Sequence, residues 1–288
     1  MAEDISKSRH RESFIPNPSP ALIMVCEEMR VTCAIGGSDS SGGAGLQADE
    51  KTFSMLGVWG TSVVTAVTAQ NTSGVRDIRL LPPESIRLQL GAVLDDFDVK
   101  ACKTGMLGNR ASVSAVVEAL PDEIPLVVDP VICATSGCRL LDDEGIAEII
   151  SSLIPRATLV TPNIPEALVL TGMPGICSVG GMREAAALIL ALGPRYVVIK
   201  GGHLEGNRAV DLLAWKGGDL LLEGIRYQYE VHGTGCCFAA AVTAYIARGE
   251  TVPSACQRAK KFVSAAVRGA VKSRSGIRMI HPVCFPEC

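Results

Sequence analysis

From Val31 onward, short runs rich in β-branched residues alternate with stretches of helical periodicity. Strands are expected at 31–35, 62–69, 99–103, 126–129, 158–161 and 196–200. Helices are expected near 45–56, 84–95, 110–119, 142–153, 164–170 and 182–192. Alternation of this kind calls for a mostly parallel sheet with helices on both faces, a three-layer α/β architecture. Segments 209–215 and 219–222, joined around Lys216-Gly217-Gly218, read as an edge hairpin, and helices over 235–248 and 253–272 follow. No linker divides this region, so residues 31–288 are expected to form one domain. Residues 1–30, charged and carrying Pro16, Pro18 and Pro20, read as a loose leader, with Met24 and Met29 as alternative starts.

Composition narrows the class of function. The 288 residues are 48% hydrophobic and 20% charged, as in a globular chain able to bury a core. A formal net charge of -3 offers no basic field for nucleic acid or an anionic membrane. The apolar run 21–26 is followed at once by Glu27-Glu28, and nothing approaches the roughly 18 apolar residues that cross a bilayer. Eleven cysteines include no C-x-x-C pair, which argues against a zinc site or disulfide framework. A reducing cytoplasm is the expected setting, and a homodimer is allowed without being required.

Ligands of open α/β sheets bind beyond the carboxyl ends of the strands, so the residues after each strand carry the information. After the first comes Gly36-Gly37-Ser38-Asp39-Ser40-Ser41-Gly42-Gly43-Ala44-Gly45, which matches neither common phosphate motif. It is either a flexible turn or backbone that closely approaches a ligand. Asp49 falls in the helical stripe of Leu46, Phe53 and Leu56, so it turns inward and needs a partner, a ligand or backbone amides. Gln70 and Asn71 offer amides that suit an aminopyrimidine or simply complete a turn.

Asn163 and Glu166 fit a capping box, and equally the water shell of Mg²⁺. Lys200 ends a strand, where an ammonium can reach nucleotide phosphates or remain solvated. His232-Gly233-Thr234-Gly235-Cys236 enters an apolar helix, whose free N–H groups and dipole favour an anion. A thiol at a helix start is expected to have a lowered pKa and could accept a proton; otherwise Cys236 is a packed structural cysteine.

Together GGSDSSGGAGLQADEKTF, TAQNTSGV, KTGMLG, DPV…TSG, TPNIPEA, KGGHLEG and HGTGC resemble the bacterial hydroxymethylpyrimidine/phosphomethylpyrimidine kinases of thiamine biosynthesis, within the ribokinase-like superfamily. The resemblance covers about 31–282. It implies a ribokinase-like αβα sandwich, ATP and Mg²⁺, and a small pyrimidine phosphorylated first on its alcohol and then on the resulting phosphate. By motif it implies a pyrimidine pocket of Gly37, Asp49, Gln70, Met106 and Val131. Lys200 and Asn163 would lie on the nucleotide side, with Glu166 and Asp129 toward the metal. Gly233, Thr234 and Gly235 would form an anion hole, with Cys236 as catalytic base. The chain departs from the pattern at Glu50, Thr135, Val231 and Cys237, where Leu, Lys, Thr and Thr are usual. A pyridoxal kinase is the near alternative, although Gln70-Asn71-Thr72 stands where such kinases tend to carry Met-Asp-Pro. A non-catalytic pyrimidine-binding regulator is the alternative of another class. No fused second enzyme is expected.

Overall fold

The computed structural model describes residues 29–202 and 208–282. Strand β1 (Val31–Asp39) leads into helix α1 (Gly45–Met55), and β2 (Trp59–Asn71) with β3 (Gly74–Leu80) forms a hairpin. Then come α2 (Pro83–Asp96), β4 (Val99–Thr104), α3 (Arg110–Ala119), β5 (Leu126–Val128) and α4 (Asp143–Glu148). The alternation continues with β6 (Leu159–Val160), α5 (Ile164–Thr171), α6 (Val179–Leu190) and β7 (Tyr196–Ile199). A second hairpin, β8 (Arg208–Trp215) and β9 (Gly218–Ile225), precedes β10 (Val231–His232) and α7 (Thr234–Ala247). Helix α8 (Val252–Arg268), β11 (Val271–Lys272) and β12 (Arg278–Met279) come last.

Nine strands form one sheet in the order β3-β2-β1-β4-β5-β6-β7-β8-β9. The run from β2 to β7 is parallel, whereas β3, β8 and β9 pair antiparallel at the margins. Side chains alternate between the faces along each strand. Cys33, Ile35, Val128, Val197 and Ile199 meet Ile86, Leu90, Val116, Leu170, Met182 and Ile189 from α2, α3, α5 and α6. Ala34, Val127 and Val198 turn the other way, onto Phe53 of α1, Phe238 and Val242 of α7 and Phe262 of α8. Two apolar layers therefore enclose the sheet, and all its parallel strands end on one edge. No described helix is long and apolar enough to cross a membrane.

The expected elements are present, with several differences. β1 does not stop at Ile35: it continues through Gly36–Asp39 beside β2, with a register shift between Gly36 and Gly37. Glycine lets it do so, since a Cβ on Gly37 would stand 2.9 Å from Met106 Sδ. β3 was not anticipated. Its turn is set by Asn71, whose Oδ1 accepts the Ser73 amide at 2.9 Å, so this amide completes a turn rather than facing a ring. The helix over 142–153 loosens after Glu148 into a π-type turn, Ile149–Leu153, and a 3-10 turn, Ile154–Arg156, where Pro155 has no N–H to extend an α ladder. The helix over 253–272 ends at Arg268, because Val271 and Lys272 pair with β12 instead. Apart from Met29 and Arg30, the leader lies outside the described residues, as does 203–206 of the KGGHLEG segment.

Candidate active site

The carboxyl edge of the sheet gathers two buried ion pairs, a capping box and the glycine entry to α7. Asp49 on α1 meets Lys103 on β4, with Oδ2 and Nζ 2.8 Å apart and both side chains 1% exposed. This is the partner that an inward Asp49 required. Its Oδ1 is buried with no hydrogen-bond partner. Burial raises the Asp49 carboxyl to about 6 despite Lys103. Burial would lower Lys103, but Asp49, Cys236 and Asp129 more than reverse that.

The second pair joins Asp129, just past β5, to Lys200, just past β7, at 2.8 Å. The Thr161 hydroxyl donates to the same Asp129 oxygen at 3.1 Å. Burial opposes the Lys200 charge, yet Asp129 and Glu166 hold the ammonium above its ordinary value. Asn163 Oδ1 accepts the Glu166 amide and Glu166 Oε2 accepts the Asn163 amide, each at 2.8 Å, so the capping box is real. Burial raises the Glu166 carboxyl to about 7 against the pull of Lys200, with Asp129 adding to the rise. Among the described residues no three His, Cys, Asp or Glu side chains gather as a metal cluster. Since Asp129 and Glu166 already accept bonds from the protein, they fit a hydrated cation held through its waters better than direct coordination.

Gly233 opens α7 with φ 89°, and a Cβ there would overlap the carbonyl oxygen of Gly43. Glycine is therefore required, and the contact welds the glycine-rich loop after β1 to the α7 entry. A Cβ on Gly235 would stand 3.1 Å from Lys200 Nζ, which places the Lys200–Asp129 pair at the first turn of α7. Thr234 and Cys236 occupy that turn, where N–H groups have no partner within the helix. The Cys236 thiol corrects the sequence expectation. Burial pushes it up to about 11, against the pull of Lys103, while Asp49 and Asp129 push it further and the Gly45 amide draws it down. The helix-start effect on a thiol is outweighed here by desolvation.

Gly37, Met106 and Val131 come together on the other side of the loop, where Met106 packs in a small apolar cluster with Ala66 and Leu140 and against Val131. Gln70 faces elsewhere: its amide nitrogen lies 3.2 Å from His232 Nε2. The other ring nitrogen of His232 meets the Thr135 hydroxyl at 3.1 Å, and Asp39 Oδ2 lies 3.5 Å from Nε2. Asp39 is buried and accepts from the Ser41 amide, the Ser41 hydroxyl and the Ala44 amide, so the loop is a built structure rather than a slack turn. Burial would raise its carboxyl, but His232, Ser41 and Ala44 together hold it below its ordinary value. Lys103, Asp39 and His232 were not singled out from the sequence as site residues. Each lies in a quoted motif, and a lysine inside an apolar strand was the available signal for Lys103. A surface cavity of about 570 Å³ lined by Arg87, Asn109, Arg110 and Glu144 touches none of these groups.

Known proteins resemble the chain over most of its length. The family described as phosphomethylpyrimidine kinase matches residues 39–281. A hydroxymethylpyrimidine/phosphomethylpyrimidine kinase of Haemophilus influenzae is 44% identical over 240 residues, spanning 81% of this chain and 89% of that protein. The crystal structure of a phosphomethylpyrimidine kinase from Clostridium difficile is 41% identical and superposes with a TM-score of 0.73 over 83% of this chain and 99% of the other. A Staphylococcus aureus pyridoxal kinase, solved with AMP-PCP and pyridoxal, is 34% identical with a TM-score of 0.81 over 88% of this chain and 93% of the other. The fold is ribokinase-like, and the chain belongs to the phosphomethylpyrimidine kinase family.

Proposed function

We propose that this chain transfers the γ-phosphoryl group of ATP to the alcohol of hydroxymethylpyrimidine, and then a second one to the phosphate so formed, in the cytoplasm. The observation that carries the reading is the convergence of Cys236, two buried Lys–Asp pairs and the glycine entry of α7 on one sheet edge. Phosphoryl transfer proceeds through a loose transition state, so position and charge matter more than base strength. A thiol near 11 is compatible with that demand. Its deprotonated form, steadied by the nearby Lys103 ammonium, accepts the alcohol's proton and returns to the thiol as the new O–P bond forms and the bond to ADP breaks. Lys200 and the N–H groups of Thr234–Cys236 offset charge on the transferring group. Asn163 holds Glu166 in place, and Glu166 and Asp129 would hold Mg²⁺ through water; the ion supplies further charge neutralisation. Gly37, Met106 and Val131 offer an apolar seat for the ring, with Asp49 as a polar neighbour.

The likeness to a pyridoxal kinase favours a second reading, phosphorylation of pyridoxal. One experiment separates them: ATP turnover with Mg²⁺ on hydroxymethylpyrimidine, its monophosphate and pyridoxal, each offered alone. The expected result is turnover of the first two, reduced about a hundredfold or more in Cys236→Ala. Turnover of pyridoxal alone would transfer the chain to the second reading. Pyrimidine binding without turnover would make it a non-catalytic binder.

A further inference from the structure

One buried charge cluster lies outside the chemistry described so far. Asp211 stands in β8 between Val210 and Leu212, its side chain 9% exposed. Lys260 of α8 donates to Asp211 Oδ2 at 2.6 Å, and the Gly201 amide donates to Asp211 Oδ1 at 2.9 Å. Burying such a pair carries a desolvation cost, and a stable helix–sheet contact could be made more simply with apolar residues. The second oxygen shows what the acid accomplishes. Gly201 is the residue after Lys200, it belongs to no strand, and its buried N–H would otherwise lack a partner.

The turn is fixed at three points. Lys200 N–H donates to the Pro162 carbonyl at 2.8 Å, Gly201 N–H to Asp211, and the Gly202 carbonyl accepts from Arg226 at 2.9 Å. A Cβ on Gly201 would overlap the Val210 carbonyl oxygen, so the turn lies flat against β8. With its backbone held on both sides, Lys200 has its ammonium set 2.8 Å from Asp129 and against the first turn of α7.

We propose that Asp211 is a positioning residue for the phosphate side of the site. Through the Gly201 amide it fixes where Lys200 presents its charge, and Lys260 holds the carboxylate in the orientation that does so. The inference rests on reading Lys200 as a nucleotide contact. It predicts that loss of the Gly201 acceptor weakens nucleotide binding and leaves the pyrimidine side untouched.

Two double variants isolate that acceptor. Asp211→Asn with Lys260→Gln keeps an oxygen for the Gly201 amide without charge, whereas Asp211→Leu with Lys260→Met fills the space and offers none. Affinity for a non-hydrolysable ATP analogue and for hydroxymethylpyrimidine is measured by calorimetry, with KM for ATP and kcat beside them. The amide pair is expected to bind nucleotide within about threefold of wild type, and the apolar pair about tenfold or more weaker, with pyrimidine affinity unchanged in both. Wild-type nucleotide affinity in the folded apolar pair overturns the inference and leaves the kinase reading standing. Equal weakening of both ligands also overturns it, because a merely structural role would act on both sides. If wild type binds no nucleotide at all, the kinase reading falls and takes the inference with it. Should the apolar pair fail to fold, hydrogen exchange at the Gly201 amide of the wild-type protein decides: strong protection, raised further by the ATP analogue, supports the inference, and free exchange refutes it.

Discussion

Lys103 is the charge nearest in argument to both Asp49 and Cys236, and its removal has separable consequences. Lys103→Met leaves Asp49 buried without the one partner it has among the described residues, since Oδ1 already lacks one. Unfolding in denaturant should show a loss of about 3–5 kcal/mol. Adding Asp49→Leu should restore most of that stability while ATP turnover stays lost. Restored turnover in the double variant would mean that neither charge serves the reaction. Glu166 gives a test by pH. Its carboxyl, raised by burial to about 7, binds its proton more tightly in the folded chain than at the ordinary value of 4.5. That contribution to stability is therefore complete below about pH 4.5 and is lost as pH rises through about 7. Asp49, raised to about 6, adds the same sign over a lower window. Thermal melts of Glu166→Gln across that range should fall less with rising pH than those of wild type. A residue reading could expect Asp49 to need a partner, yet its partner lies 54 positions away and only the fold brings it near. Cys236 shows the opposite limit: its place at a helix start was legible, but the desolvation that decides its pKa depends on packing no local motif contains.

The entry to α7 shows how an element is fixed by glycines with different jobs. Gly233 needs both positive φ and contact with Gly43, so Gly233→Ala should cost more than about 2 kcal/mol or prevent folding. Gly235 lies within the helix, where alanine is favoured by about 1 kcal/mol. Gly235→Ala should fold as well as wild type, but its methyl group displaces Lys200 and raises KM for ATP. Melting curves and ATP kinetics on the two variants check this contrast. An unchanged KM in Gly235→Ala would remove Lys200 from the phosphate side. Long elements were legible because periodicity accumulates over many residues, as in α3 at 110–119 and β4 from Val99. β3 could have been found from Asn71-Thr72-Ser73-Gly74, a turn signal between two β-rich runs. The strands at Val231–His232, Val271–Lys272 and Arg278–Met279 had no comparable signal, because two residues cannot express a period.

Across the whole molecule, the parallel sheet sets the strand-end motifs on one edge, and this is why reading those motifs in order picked out most of the groups gathered there. Completion of the edge comes from elsewhere. β12 lies between β10 and β11, the Ile280 amide donates to the His232 carbonyl, and Met279 lies against the position of Gly43. The loop that enters α7 is thus braced by residues about 45 positions further along the chain. During synthesis the nine-stranded sheet has all its strands once Ile225 has emerged, but the brace must wait for residues 278–280. A nascent chain paused between these points would carry a formed sheet with an unbraced entry to α7. Protein ending at residue 270 should accordingly retain α/β circular dichroism while losing affinity for ATP analogues; full affinity would show that the brace is dispensable. Timing follows from topology here: the order in which the ribosome releases the chain makes competence for phosphoryl transfer one of the last properties the enzyme acquires.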